Sequence, residues 1–475
     1  MKLIALPLLR RPLAGTVTVP GDKSIGHRAL LFSLLSATPI RVRGLGDGAD
    51  NGRSAKAIAA LGATIARDPA ASGAFAITGT GLDGMRAPAA PIDCGNSGTT
   101  IRLLCGLLAG QRFASTLFGD ESLSKRPMRR VIEPLAAMGA VIAGQGGAGA
   151  PPGLPRAGDA RPRFAAGERD PSPSVADVTP PLTIGPAAGP LAPIDYALPM
   201  ASAQVKTAIL LAGLYADGET AVTEPGPSRD HSERMLAYLG APLAVAGRRT
   251  AIDTRGWDRR LAGDGFDVPG DPSSAAFLVA AALVAGADVV RLPDVCTNPT
   301  RTGFLDAIAA MGGRVEVDRP RTAGPEPVAD LVIRGPAPEL VATEIAGDLA
   351  VRSIDELPIL AVLAARARGT TVVRGAEELR VKESDRIATT CAMLRAFGVD
   401  CEARPDGFVV LGRGDRPLEP GRVHADGDHR IAMAAAIAGL AASGPTIIDD
   451  ADNVATSYPG FAAALTALGA QIRAE

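Results

Sequence analysis

Six segments of the chain share one pattern, in which an apolar helix-like run ends in a large apolar residue, then glycine, then a short strand-like stretch. The copies are IAALGATIA around Gly62, PLAAMGAVIAG around Gly139, MLAYLGAPLAV around Gly240, AIAAMGGRVEV around Gly312, MLRAFGVDCEA around Gly398 and ALTALGAQIRA around Gly469. Glycine readily adopts the left-handed conformation that ends a helix, so each copy predicts a helix followed by a strand. Six such units indicate an α/β repeat fold, because stacked neighbours bury each other's apolar faces.

A second repeat divides these six copies into two sets of three. VPGDKS at 19–24 is echoed by VPGDPSS at 268–274, and three copies follow each motif. Chance similarity in a chain rich in Ala and Gly accounts for any single copy better than for six copies split evenly. The pattern therefore predicts two domains of similar architecture, with the chain crossing between them near residues 20 and 268.

One segment interrupts the repeat between its second and third copies. Residues 144–174, GQGGAGAPPGLPRAGDARPRFAAGERDPSPS, are rich in Gly, Pro and charge. Such a segment cannot bury much apolar surface, so we predict a mobile surface insertion here.

Composition narrows the class of protein. Of 475 residues, 47% are hydrophobic and 21% charged, which is typical of a soluble globular protein. The longest apolar runs, such as 275–287, are shorter than the roughly 18–20 residues that a membrane span needs. A net charge of −2 argues against nucleic acid as a partner. Five scattered Cys residues favour reduced thiols in the cytoplasm, and none of the four His residues has zinc-site spacing, so we expect no metal.

Several loops place cations at the start of apolar helical runs. A helix N-terminus contributes about 0.3–1 kcal/mol to anion binding, whereas micromolar affinity needs about 8 kcal/mol. Charge-assisted bonds from Lys and Arg, about 1.5–3 kcal/mol each, must supply the rest. The pattern thus predicts an enzyme or binding protein for small polyanions. The segments are PGDKSIGHRAL at 20–30, DCGNSGTTIRLL at 93–104, GDESLSKRPM at 119–128, ASAQVKTAILLAGL at 201–214, SRDHSERML at 228–236, RVKESDRI at 380–387 and DHRIAM at 428–433.

Two acids stand out among these cations. Asp355 lies in SIDELPILAV at 353–362, and Glu383 lies between Lys382 and Arg386. Neighbouring cations lower the pKa of a carboxyl group and burial raises it, which is how a catalytic acid or base is tuned. From the residues alone, the alternative roles, a helix cap at Asp355 and a helix-start charge at Glu383, remain open.

Taken together and in order, these segments resemble the signature motifs of the EPSP synthase family, and ASAQVK and LRVKESDR resemble its class II. DNVATSYPGF at 452–461 extends the resemblance to the last unit. The resemblance implies an inside-out α/β barrel of two domains, each with three βαβαββ units. It implies that residues 1–20 and 269–475 form domain I and that residues 21–268 form domain II.

The resemblance also assigns roles to residues. To shikimate 3-phosphate it assigns Lys23, Ser24, Arg28, Ser202, Ala203, Gln204, Arg229, Asp355 and Lys382. To phosphoenolpyruvate it assigns Lys23, Gly98, Arg126, Gln204, Arg386 and Arg430. As catalytic groups it implies Lys23, which touches both ligands, Asp355, which accepts the proton of the shikimate 5-hydroxyl, and Glu383, which protonates the methylene carbon of phosphoenolpyruvate.

The activity implied is transfer of the enolpyruvyl group from phosphoenolpyruvate to the 5-hydroxyl of shikimate 3-phosphate, without a metal or organic cofactor. We expect a cytoplasmic monomer whose partners are these two small molecules. Two alternatives stay open: an enolpyruvyl transferase for UDP-N-acetylglucosamine, and a non-catalytic anion-binding protein. The first typically carries a Cys near GDESLSKRPM, and this chain has none between 106 and 295.

Three positions depart from, or vary within, the family pattern. Gly26 replaces the usual Ser, and Thr456 replaces a Lys that reaches phosphoenolpyruvate in one branch. Gly98 stands where some glyphosate-insensitive members have Ala, so the resemblance predicts sensitivity to glyphosate.

Overall fold

The computed structural model of the chain describes residues 1–7, 12–68, 73–146 and 178–475. The insertion predicted at 144–174 lies outside the described residues from position 147 onward. The strands are β1 (Leu3–Ala5), β2 (Leu13–Thr16), β3 (Ile40–Arg43), β4 (Thr64–Arg67), β5 (Phe75–Thr78), β6 (Ile92–Asp93), β7 (Ser115–Phe118), β8 (Ile142–Gln145), β9 (Thr179–Ile184), β10 (Asp195–Ala197), β11 (Glu219–Thr223), β12 (Leu243–Ala246), β13 (Arg249–Asp253), β14 (Gly265–Asp267), β15 (Ala287–Cys296), β16 (Glu316–Ala323), β17 (Glu326–Gly335), β18 (Glu344–Ile345), β19 (Thr370–Val373), β20 (Asp400–Arg404), β21 (Gly407–Leu411), β22 (Arg422–His424), β23 (Thr446–Asp449) and β24 (Ile472–Ala474).

The α-helices alternate with these strands. They are α1 (Lys23–Leu34), α2 (Ala49–Ala60), α3 (Gly98–Ala109), α4 (Arg129–Ala137), α5 (Ala203–Gly213), α6 (His231–Tyr238), α7 (Pro272–Ala285), α8 (Gly303–Ala310), α9 (Gly347–Arg352), α10 (Leu357–Ala365), α11 (Arg386–Ala396), α12 (His429–Leu440), α13 (Val454–Ser457) and α14 (Phe461–Ala467). Two short 3₁₀ helices cover Leu123–Lys125 and Glu377–Val381.

All six sheets within the described residues have four strands and the same internal pattern. Their orders are β14-β3-β5-β4, β6-β7-β9-β8, β10-β11-β13-β12, β2-β15-β17-β16, β18-β19-β21-β20 and β22-β23-β1-β24. In each order the first pair is parallel and the other two pairs are antiparallel. A parallel pair needs a crossover connection, and helices supply it. The six-unit α/β architecture predicted from the repeat is confirmed.

The glycine at the end of each repeat has the backbone conformation that the pattern predicts. The φ angles are 109° at Gly62, 96° at Gly139, 86° at Gly240, 84° at Gly312, 69° at Gly398 and 101° at Gly469. A side chain at such a φ strains the backbone, so glycine lets each helix end and the chain leave as a strand.

The apolar side chains form two separate cores. One core gathers residues from Ile25 to Val268, together with Cys296. The other gathers residues from Leu3 to Val19 and from Ala275 to Ile472. Helices α7, α10 and α12 are buried almost all round, which explains why their runs are apolar on every face. We propose that the two cores mark two domains, residues 21–268 and residues 1–20 with 269–475.

The N-terminal strands pair far along the chain. Strand β1 lies between β23 and β24, with Leu3 opposite both Ile448 and Ala474. Strand β2 runs parallel to β15, with Leu13 opposite Ala287. Both strands therefore complete sheets that the C-terminal half of the chain builds.

The two PGD motifs pair with each other. Gly21 and Gly270 form an antiparallel bridge. The backbone N–H of Asp22 donates to Pro269 at 2.7 Å, and that of Asp271 donates to Pro20 at 2.8 Å. The chain therefore passes from one core to the other twice, and both passages lie at one place, next to the starts of α1 and α7.

A buried arginine joins the same two motifs. Arg301 is 2% exposed, and its guanidinium donates to Asp22 at 2.8 Å and to Asp271 at 3.1 Å. Each aspartate also caps its own helix, by accepting from Ile25 N and from Ser273 N respectively. One cation therefore balances two buried carboxylates, and it fixes the two crossing points relative to each other.

The glycine at position 26 has a packing role. A Cβ atom there would lie 2.7 Å from Nδ2 of Asn51, a side chain of α2. The close approach of α1 and α2 gives a physical reason for glycine where the family usually has Ser.

Among the described residues, no helix is both long enough and apolar enough to cross a membrane.

Candidate active site

A polar cleft lies between the two cores and receives side chains from both. One side is formed by the starts of α1, α3, α4 and α5, and the other by residues 355 and 378–386 and the start of α12. Its lining is Lys23, Ser24, Asp50, Asn96, Ser97, Gly98, Thr99, Arg102, Arg126, Arg130, Gln204, Arg229, Asp271, Arg301, Asp355, Glu378, Val381, Lys382, Glu383, Arg386 and Arg430. The excess of Lys and Arg over Asp and Glu suits anionic ligands.

Side-chain caps fix the helix starts that face the cleft. The hydroxyl of Ser97 accepts from Thr100 N at 3.1 Å, and Ser202 accepts from Val205 N at 3.5 Å. On the other side, Asp385 caps α11 and Asp428 caps α12, at 3.1 Å and 2.9 Å. These caps satisfy one N–H group each, or two in the case of Asp385, and leave the remaining first-turn donors for a ligand.

The start of α1 brings two predicted ligand contacts into the cleft. Nζ of Lys23 lies 2.9 Å from Oδ2 of Asp50, which holds the ammonium in place. The hydroxyl of Ser24 accepts a hydrogen bond from Arg229 at 3.3 Å. The motifs at 20–30 and 228–236 therefore meet, as a shared ligand would require.

The start of α3 lies close to two guanidinium groups. A Cβ atom at Gly98 would be 2.7 Å from Nη1 of Arg102 and 3.1 Å from Nη1 of Arg126. Arg102 also donates to the Gln204 side chain at 2.8 Å, and Arg126 donates to Asn96 at 2.6 Å. Glycine at position 98 thus lets the backbone and two cations approach one small volume.

Asp355 is surrounded by four cations. Arg229 forms a direct ion pair with it, while Lys382, Arg386 and Arg430 lie 3.4–4.0 Å away. Burial alone would raise the pKa of Asp355, but these cations outweigh burial and hold the pKa well below its usual value. The carboxyl group is therefore ionised and can accept a proton.

Glu383 has a similar environment, at the end of the cleft nearer Arg126. Its Oε2 lies 2.6 Å from Nη2 of Arg386, and its Oε1 lies 4.0 Å from Arg126. Burial again opposes ionisation, but Arg386 and Arg126 are the leading cations that lower the pKa of Glu383. An anion that takes up their charge will therefore raise this pKa.

Asp428 orients the central arginine of the site. Arg386 is 1% exposed, and its Nε donates to Oδ2 of Asp428 at 2.7 Å. The negative charge of Asp428 raises the pKa of Arg386, against the effect of burial. Arg430 is held differently, since its Nη1 donates to the backbone carbonyl of Asp355 at 2.9 Å. Both cations have fixed positions before any ligand arrives.

The structure brings most of the predicted site residues together, but not all. Those that line the cleft are Lys23, Ser24, Gly98, Arg126, Gln204, Arg229, Asp355, Lys382, Glu383, Arg386 and Arg430. Arg28 lies behind it, 2% exposed, where it donates to Ser232 at 2.7 Å and to the carbonyl of Ser24 at 2.9 Å. Ser202 and Ala203 are at the start of α5, outside the lining.

Sequence reasoning missed several residues of the cleft. Asp50, Arg102, Arg130, Arg301 and Glu378 all line it. Arg102 lies one helical turn after Gly98 in α3, so helical periodicity gave a usable signal for it. It gave none for Arg130, because Arg126 lies before α4 begins. Asp50 and Arg301 carried no such signal, because their partners are distant in sequence.

Comparisons with known proteins agree on one family. The sequence model described as EPSP synthase (3-phosphoshikimate 1-carboxyvinyltransferase) matches residues 9–156 and 174–465. The 3-phosphoshikimate 1-carboxyvinyltransferase of Alkalilimnicola ehrlichii is 49% identical over 450 residues, which cover 94% of this chain and 92% of the relative. Its counterpart from Acidithiobacillus ferrooxidans is 48% identical over 451 residues, covering 95% and 94%.

The fold gives the same result. The solved structure of EPSP synthase from Acinetobacter baumannii superimposes with a TM-score of 0.82 at 39% identity, covering 99% of each chain. Sequence and structure thus match over nearly the full length, and the chain belongs to the EPSP synthase family.

Proposed function

We propose that this protein transfers the enolpyruvyl (1-carboxyvinyl) group of phosphoenolpyruvate to the 5-hydroxyl of shikimate 3-phosphate, with release of phosphate. The step belongs to the shikimate pathway, which leads to chorismate and the aromatic amino acids. The observation that carries the proposal is that Asp355 and Glu383 share one cleft with cations from both sides. Membership of the EPSP synthase family supports the choice of substrates.

The cations of the cleft offset the electrostatic repulsion between the two substrates. Both substrates carry a carboxylate and a phosphate, so they repel each other in water. Fixed guanidinium and ammonium groups offset that repulsion and need no reorganisation when the substrates arrive. We assign Lys23, Gly98, Arg126, Gln204, Arg386 and Arg430 to phosphoenolpyruvate. To shikimate 3-phosphate we assign Lys23, Ser24, Gln204, Arg229, Asp355 and Lys382, which line the cleft. On the family resemblance alone we also assign Arg28, Ser202 and Ala203, which lie outside the lining.

The two acids perform opposite proton transfers. Glu383, once protonated, gives its proton to the methylene carbon of phosphoenolpyruvate, and the adjacent carbon gains oxocarbenium character. Asp355 accepts the proton of the 5-hydroxyl as its oxygen bonds to that carbon, which forms a tetrahedral intermediate. In the elimination, Glu383 takes back one proton from the new methyl group as the bond between carbon and the phosphate oxygen breaks, and the proton held by Asp355 leaves with the phosphate. The double bond is restored and both acids return to their starting states. A carbon atom is a poor proton acceptor, so the donor must be well placed.

Charge changes on binding prepare both groups for these roles. In the structure, Arg229 pairs with Asp355 and Arg386 pairs with Glu383. A substrate phosphate or carboxylate that binds these arginines competes with the acids for them. The pKa of Asp355 then rises, which makes it a stronger base, and the pKa of Glu383 rises, which lets it carry a proton.

The proposed reaction consists of an addition and an elimination without a change of oxidation state, so it needs no redox cofactor. We further propose that the protein acts as a monomer in the cytoplasm. Among the described cysteines none lines the cleft, so the structure offers no observation in favour of UDP-N-acetylglucosamine as acceptor.

The decisive experiment measures phosphate release from phosphoenolpyruvate with shikimate 3-phosphate or UDP-N-acetylglucosamine in parallel. We expect release only with shikimate 3-phosphate. Release only with the nucleotide sugar would overturn the acceptor. A folded protein that releases phosphate with neither would favour the non-catalytic anion-binding alternative.

A further inference from the structure

Arg130 is a cation of the cleft without an acidic partner. It is the second residue of α4 and lines the cleft beside Arg102 and Arg126. Among the described residues, no acid lies within 4.0 Å of its guanidinium. Its Nη1 donates only to the thioether of Met200, at 3.4 Å, and thioether sulfur is a weak acceptor. Its Nε is buried and has no hydrogen-bond partner.

Arg102 is a second arginine of the cleft whose guanidinium is incompletely paired. The side chain is 5% exposed, and its Nε is also buried without a partner. Burial, and next the positive charge of Arg130, lower the pKa of Arg102 to about 9. Two like charges close together in a poorly solvated site are unfavourable unless an anion lies near both. The pair thus indicates a ligand oxygen.

Glu378, an acid that also lines the cleft, forms its ion pair with Lys382 and not with Arg130. Glu378 accepts from Nζ of Lys382 at 2.9 Å, and Lys382 is the main cause of its lowered pKa. Arg130 contributes to that shift only after Lys382 and burial. The guanidinium of Arg130 therefore stays available to a ligand.

The residues around Arg130 indicate that this ligand is one of the substrates. Arg102, whose pKa the positive charge of Arg130 lowers, donates to Gln204, and Arg126 lies four residues before Arg130 in the chain. Both Gln204 and Arg126 are proposed substrate contacts. A donor at this position completes the same side of the cleft, where helices α3, α4 and α5 begin.

We propose that Arg130 is a further substrate-binding residue, which donates hydrogen bonds to an anionic carboxylate or phosphate oxygen of one of the two substrates. This inference rests on the proposed function. Both substrates carry both groups, so the chemistry is shared and the experiment must separate the sources. The planar guanidinium favours two parallel hydrogen bonds, which lysine cannot make.

The test compares Arg130→Gln with Arg129→Gln. Arg129 is the adjacent residue of α4, but it faces Glu133 at 3.5 Å and does not line the cleft, so it is a matched control. Two constants are measured: Kd for shikimate 3-phosphate by calorimetry, and KM for phosphoenolpyruvate at saturating acceptor. We expect Arg130→Gln to weaken at least one of them by about 10- to 100-fold, while Arg129→Gln stays within about twofold.

The two arms identify the substrate. A change in Kd assigns the contact to shikimate 3-phosphate, and a change in KM alone assigns it to phosphoenolpyruvate. Arg130→Lys keeps the charge and is expected to lose less, which also covers a failure of the glutamine variant to fold. If Kd and KM are unchanged in both Arg130→Gln and Arg130→Lys while the wild type is active, this inference is overturned and the proposed function stands. A folded wild type without turnover overturns the proposed function, and the inference with it.

Discussion

Oε2 of Glu383 lies 2.6 Å from Nη2 of Arg386, so the proposed proton donor shares its cation with the proposed phosphoenolpyruvate site. Glu383 lies three residues before Arg386, the first residue of α11, so the turn that leads into this helix brings the two side chains together. Occupation of Arg386 by an anion therefore acts on the protonation of Glu383. Under the proposed function, binding of phosphoenolpyruvate prepares Glu383 to act as the proton donor.

This coupling predicts proton uptake when phosphoenolpyruvate binds. The pKa of Glu383 lies well below its usual value while Arg386 and Arg126 support the carboxylate. An anion that binds those arginines raises the pKa, so a larger fraction of Glu383 is protonated at the same pH. Calorimetry in two buffers of different ionisation enthalpy, with phosphoenolpyruvate added in the absence of shikimate 3-phosphate so that no turnover occurs, measures the uptake.

Glu383→Gln is the control for that measurement, since glutamine cannot take up the proton. The difference between wild type and variant removes the protonation of the substrate itself. Equal uptake by both proteins would contradict the coupling.

Glu383→Gln should also separate binding from chemistry. The amide keeps the size of the side chain but cannot protonate carbon. We expect kcat to fall by about 10²- to 10⁴-fold, with Kd for shikimate 3-phosphate nearly unchanged. Glu377→Gln, at an exposed acid six residues earlier, should leave both constants unchanged. Turnover near the wild-type rate would remove Glu383 from the role of proton donor.

Gly98→Ala should impair phosphoenolpyruvate binding. The added methyl group would lie 2.7 Å from Arg102 and 3.1 Å from Arg126, so the guanidinium groups must shift. We expect KM for phosphoenolpyruvate to rise about tenfold or more. If glyphosate inhibits the wild type through the same cations, it should inhibit the variant less.

Gly52→Ala is the matched control for Gly98→Ala. Gly52 lies within α2, and a Cβ atom there has nothing within 4 Å. This variant should keep its kinetic constants and gain about 1 kcal/mol of stability. If both variants showed wild-type KM, close packing at Gly98 would have no part in ligand binding.

Arg301→Met should destabilise the protein strongly. The substitution leaves Asp22 and Asp271 buried without their shared cation, which typically costs about 3–5 kcal/mol. Urea unfolding should show a lower midpoint. Arg334→Met removes an exposed arginine that pairs with Glu316 at 3.5 Å, and should change the midpoint little. Equal effects from the two variants would show that Arg301 is not the common partner we describe.

The parts of the molecule that follow local rules could be predicted from sequence. A glycine such as Gly240 closes its helix through its own backbone freedom, so the pattern around it indicated the helix end and the next strand. The family resemblance and the fold were also confirmed. The motifs that carry the resemblance lie at helix starts, and these helix starts form the cleft.

Contacts that depend on the packing of distant segments could not be predicted. Arg301 and Asp22 are 279 residues apart, and nothing in either neighbourhood indicates the other. The depth of Arg28 is a similar case. Its motif predicts a cation in the cleft, but the Arg28 side chain lies behind the lining and donates to Ser232, which is 204 residues away in the chain. Charge at a helix start shows that an anion site is possible, whereas tertiary packing decides which cation faces it.

The position of β1 has a consequence for biosynthesis. The ribosome makes this strand first among those described, yet its neighbours β23 and β24 begin at residues 446 and 472. At translation rates of about 5–20 residues per second, roughly 20–90 s separate the synthesis of β1 from that of β23. During that interval β1 has neither of its native partner strands. The sheet that holds both ends of the chain is therefore completed last, after the other five sheets have had the chance to form.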